Sequence, residues 1–163
     1  MVRKLLGVVA VTALMVGASV GAGGQAMVFN ASLDGLQEVP PNAFTATGVS
    51  TLFLNAKHTK ITVDVSFSGL ETPMSAAHIH GFAPVGVAVG VLYPLANVDW
   101  VFGNGGLDGT YHKTLTLVNK GPGKSIKKQV DAFVNGLMYV NVHNPTRPGG
   151  QIRGQYVQGA VPE

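Results

Sequence analysis

The chain has no cysteine. A disulfide framework is excluded, and so is any metal site built on thiolates. Charged residues make up only 12% of the sequence. Its carboxylates are few and scattered, which leaves a paired-acid glycosidase site without support. There is no phosphate-binding glycine loop, no His-Glu-x-x-His motif and no Ser-His-Asp order in a recognisable motif context. No internal repeat, heptad or acidic tail occurs. Beyond residue 26 no second long apolar run follows, so no transmembrane segment is expected in the mature chain.

Residues 1–26 read as a secretory signal peptide. Arg3 and Lys4 form the positive region, Leu5 to Val20 the uncharged apolar run, and Gly21 to Ala26 the small-residue cleavage segment. An uncleaved anchor is disfavoured, because the run is short for a span and ends in glycines. Cleavage near Ala26 leaves residues 27–163 as one exported domain, secreted, periplasmic or on the cell surface. The leader carries two of the eleven Lys and Arg, so nine remain against eight Asp and Glu. That balance gives no footprint for nucleic acid. The partner expected is an unknown protein or surface.

What the chain does have is glycine, valine and threonine in alternating runs. Ile61, Val63, Val65 and Phe67 alternate with Thr62, Asp64 and Ser66, the period of a strand with one buried face. Thr47–Asn55 and Lys60–Phe67 form a hairpin across a short polar loop. Further strands are predicted at 26–33, 74–80, 87–92, 109–118, 137–143 and 151–157. Ser125 begins a helix with Ile126, Val130, Phe133 and Val134 on one face, and Gly136 ends it. Trp100, in a turn-rich stretch, is expected to plug one end of the core. Gly154 marks a bulge or a close backbone approach. The fold class is all-β: an antiparallel immunoglobulin-like or Greek-key β-sandwich of seven to nine strands with one short helix at 125–135.

Chemistry concentrates in Ala76-Ala77-His78-Ile79-His80-Gly81. On a strand, His78 and His80 project from one face, about 6–7 Å apart. Two imidazoles so placed can tilt toward one ion, each bonding at about 2.0–2.1 Å. The same spacing fits two polar residues on the outer face of a half-buried strand. His143 closes a second strand, in which Met138, Val140 and Val142 face the core and Tyr139, Asn141 and His143 the other way. The candidate metal ligands are His78, His80 and His143, if the two strands are neighbours. All-imidazole ligation suits Cu(II), with Zn(II) less favoured. Asn141 or Tyr139 would fix an imidazole tautomer. Arg153 is expected to pair with Glu38 or with backbone carbonyls of its segment. His58 belongs to a loop and His112 to a threonine face, outside the trio. The trio also fits a surface polar cluster, each histidine hydrogen-bonded across strands.

Leu36-Gln37-Glu38-Val39-Pro40-Pro41, Ala76-Ala77-His78-Ile79-His80-Gly81, Tyr139-Val140-Asn141-Val142-His143 and Gly150-Gln151-Ile152-Arg153-Gly154-Gln155 occur in that order. Together they resemble the CHRD domain, a module named for chordin. Gln151 departs from the pattern, which usually has glutamate there. The resemblance implies an exported β-sandwich that acts as a non-catalytic binding or structural module. The alternative is a copper-dependent redox protein distantly like Cu/Zn superoxide dismutase. Against it, the chain lacks that enzyme's cysteine pair and its dense His/Asp loop.

Overall fold

The computed structural model describes residues 24–160. The leader assigned to residues 1–26 lies almost wholly outside the described residues. The elements in order are β1 (Met27–Leu33), β2 (Thr47–Leu54), β3 (Lys60–Ser68), β4 (Ala76–Gly81), β5 (Val91–Pro94), β6 (Trp100–Gly103), β7 (Asp108–Thr116), α1 (Ile126–Val134), β8 (Met138–Asn144), β9 (Arg147–Gln155) and β10 (Val157–Gly159). They form two antiparallel sheets, β10-β1-β2-β3-β7-β6 and β5-β4-β8-β9. The all-β sandwich with one helix is therefore the fold.

The alternating runs build it directly. Ile61, Val63, Val65 and Phe67 point inward from β3 and meet Leu52 and Leu54 of β2. Ile79, Val140, Val142 and Ile152 supply the facing layer from the smaller sheet. Phe133 of α1 closes one end against Phe29, with ring centroids 5.3 Å apart, and against Tyr156 at 5.9 Å. Ser125 caps the helix by accepting from the Lys128 amide. Trp100 plugs the edge beside Phe67 and Tyr111, its rings 5.4 and 5.1 Å away.

Two details differ from the sequence reading. Among the described residues there are ten strands, more than the seven to nine expected, because the turn-rich stretch hides β6 and the tail adds β10. The strand predicted at 87–92 begins only at Val91. Val87 to Val89 is loop, because the Val89 backbone is engaged by side chains of the smaller sheet.

Two contacts set up the functional face. The amides of Asp34 and Arg153 donate to each other's carbonyls at 3.1 and 3.0 Å. At Gly154 a Cβ would stand 2.6 Å from the Ser32 carbonyl oxygen, so only glycine lets β9 lie this close to β1. These contacts turn the segment after Asp34 over the outside of the smaller sheet. Every residue of β8 is buried, on both faces, so that outer face is roofed by loops.

Candidate metal centre

In the β4–β8 pair, His78 stands opposite Asn141, His80 opposite Tyr139, and Ala76 opposite His143. Cross-strand partners share a face, so all three histidines meet outside the smaller sheet. One nitrogen of each lies within 4.8 Å of the other two. Nitrogens bound to one ion at about 2.0–2.1 Å are at most about 4.2 Å apart. A modest closing movement of the side chains would therefore complete the site.

The tautomers follow from the carbonyls around them. His80 Nδ1 donates to Val89 O at 2.8 Å, and His143 Nδ1 donates to Pro148 O at 3.0 Å. A carbonyl only accepts, so each neutral ring keeps its lone pair on Nε2. His143 Nε2 accepts from His78 Nδ1 at 3.0 Å. His80 Nε2 is buried with no partner. The donor set is thus His80 Nε2, His143 Nε2 and, once its proton moves to the other nitrogen, His78 Nδ1. Backbone carbonyls that orient ligand imidazoles in this way are a usual feature of metal sites.

The family model for the CHRD domain, a match independent of this geometry, covers residues 29–156. The chain belongs to the CHRD domain family. A search of curated proteins and a search of solved structures each return no match.

Around the histidines of this CHRD domain lies a second layer. Tyr139 stacks on His80, with centroids 4.7 Å apart and planes 1° from parallel. Its hydroxyl donates to Val89 O and accepts from Val89 N. Tyr139 therefore holds the carbonyl that holds His80. The Nδ1 protons themselves are held by the Val89 and Pro148 carbonyls. Backbone acceptors leave no side-chain signature, so neither had been legible in the sequence.

The direct fork between Arg153 and Glu38 does not form; no nitrogen–oxygen pair joins them within 4.0 Å. Arg153 lies flat on Tyr139 instead, its Cζ 3.5 Å from the ring centroid, and donates to Gln155. Glu38 sits nearby against Asn141, its Oε1 buried and unpartnered. Gln151, the departure from the family pattern, is structural. Its Oε1 accepts from the Glu71 amide and from Asn144. His112 is on the larger sheet, paired with Asp64 at 2.5 Å, and His58 is in the β2–β3 loop, so neither joins the site.

Burial governs the electrostatics. It lowers the pKa of His78, and the neighbouring His80 lowers it further. Burial also lowers His80, against the opposing contacts with Val89 and Asn141. His143 is pushed down to about 4, by burial first and then by His78. All three rings are neutral at ordinary pH, the form that binds metal. Glu38 moves the other way: burial raises it from 4.5 to about 7, against the pull of Arg153.

For Glu38, the folded state holds the proton more tightly than the unfolded chain. Its contribution to stability is complete below about pH 4.5 and is lost as pH rises through about 7. Glu38→Gln should therefore stabilise the protein by about 2–3 kcal/mol at pH 8 and hardly at all at pH 4.5. Urea unfolding of both proteins at pH 4.5, 6 and 8 measures this. A difference independent of pH would contradict it.

Proposed function

We propose that this CHRD domain is an exported, non-catalytic module that binds one Cu(II) ion through His78 Nδ1, His80 Nε2 and His143 Nε2. The observation that carries the reading is the pair of buried imidazoles whose Nδ1 protons are tied to Val89 and Pro148, which leaves a lone pair on each Nε2, within a cluster whose ligand nitrogens lie within 4.8 Å of one another. Three nitrogens with no thiolate or carboxylate favour copper over zinc by the usual affinity order. The leader-like N-terminus supports a location outside the cytoplasm, where no reducing thiol pool competes for the ion.

Calorimetry with Cu(II) and with Zn(II) on the purified protein tests it. One Cu(II) per chain, bound more tightly than Zn(II), is the expected result; no binding above that of an exposed histidine overturns the reading.

The pH dependence is a second check. A free imidazole loses metal to protons below about pH 6.5. Here the folded values are lower, so copper affinity should stay level from pH 8 to about 6 and fall only below that. A fall that begins at pH 7 would place the copper on exposed histidines.

A further inference from the structure

Beside His80 Nε2 two more buried atoms have no partner: Asn141 Oδ1 and Glu38 Oε1. Their residues are 6%, 2% and 5% exposed. Buried acceptors are almost always satisfied, so the adjoining orphans His80 Nε2 and Asn141 Oδ1 mark a place for something that donates. An ion at the imidazoles satisfies His80 and leaves Asn141 Oδ1 without a partner.

Asn141 forms the floor of the histidine cluster. It stands opposite His78, diagonal to His80, and two residues before His143 on the same face. The orientation of its amide is fixed by acceptors on the far side. Nδ2 donates to Gly149 O at 3.3 Å. It also crowds the point beside Gly150 that Glu38 Oε1 occupies. Gly149 O accepts from the nitrogen and the Glu38 carboxyl lies on the same side, so the oxygen turns to the imidazoles.

Resting on the copper reading above, we propose that the ion keeps one exchangeable position on the Asn141 side. This position takes a small oxygen ligand that donates a hydrogen bond to Asn141 Oδ1, water in the first instance. Three imidazoles leave a four-coordinate ion one position for such a ligand. Asn141 is a positioning residue: it favours ligands with a proton to give. Glu38 lies behind it, on the Nδ2 side. His78 is only half-buried, so exchange with solvent passes its ring. A ligand with no proton, such as azide, can coordinate but leaves Oδ1 unpartnered.

The test uses the Cu(II)-loaded protein. Electron spin-echo modulation in D2O should show exchangeable deuterons on the copper of the wild type, and azide should remove them. In Asn141→Val, water loses its acceptor while azide loses nothing. Azide should therefore bind about tenfold more tightly, the worth of one hydrogen bond. Should Asn141→Val not fold, Asn141→Ala gives the same comparison, and the wild-type deuteron signal decides independently. Copper held by three imidazoles with no exchangeable deuteron overturns this inference alone, as does azide affinity unchanged by the substitution. Failure to bind copper at all overturns both readings.

Discussion

His143→Ala is expected to lower Cu(II) affinity by more than ~100-fold, beyond the ~10–100-fold usually lost with an outer-shell partner. The ring is 7% exposed and held from both sides, by Pro148 O and by His78 Nδ1. No other histidine can replace it, because His112 and His58 lie on the larger sheet and its hairpin. Without the metal the same substitution removes the acceptor for His78 Nδ1 and the donor for Pro148 O. That should cost about 1–2 kcal/mol at pH 7. The deficit should shrink toward pH 4, because only the wild type loses stability as pH falls through the folded pKa of His143. Calorimetry beside His112→Ala decides the metal claim. Equal losses in the two variants, or a loss below tenfold in His143→Ala, would sink it.

Gly150→Ala should be strongly destabilising. Gly150 has φ +123°, a conformation that residues with a side chain rarely adopt. Its Cβ would overlap Glu38 Oε1 and stand 2.7 Å from Asn141 Nδ2. Backbone strain of about 1–3 kcal/mol and overpacking of similar size together give about 2–6 kcal/mol. The midpoint of thermal unfolding should fall by about 10 °C or more. Gly149 is the control, since a Cβ there meets nothing within 4 Å. Thermal scans of Gly149→Ala and Gly150→Ala should differ clearly. Similar melting would refute the account. The Gly150 variant should also bind copper less tightly, because Glu38 and Asn141 are the groups it displaces.

These residues divide by how far their roles could be read from the chain. His78 and His80 declare a shared face through their spacing, and the β8 pattern declares one for Tyr139, Asn141 and His143. That the two faces coincide depends on β4 pairing with β8, which is a long-range fact with no local signature. Val89 and Pro148 act through backbone carbonyls, so their residue types carry no hint of the role. The apolar run before Val91 had suggested a longer strand, since hydrophobicity alone cannot tell a strand from a loop whose amide and carbonyl are bound elsewhere. For Arg153 and Glu38 the neighbourhood was foreseeable and the contact was not. A guanidinium has two ways to be satisfied, and here the aromatic face of Tyr139 takes it.

The roof over β8 has one more consequence. Its pieces come from far apart along the chain: Glu38 from the first crossing, Val89 from the middle, Pro148 and Gly150 from the end. An ion seated beneath them would be a staple across the whole topology. In the unfolded chain only His78 and His80 stay close together, so copper bound to the folded form would raise its stability by about 4 kcal/mol at a thousandfold excess over Kd. Peeling β8 away from β4 would scatter the ligands at once. Copper retention would then serve as a gauge of intact architecture, and the metal would leave before the rest of the domain came apart.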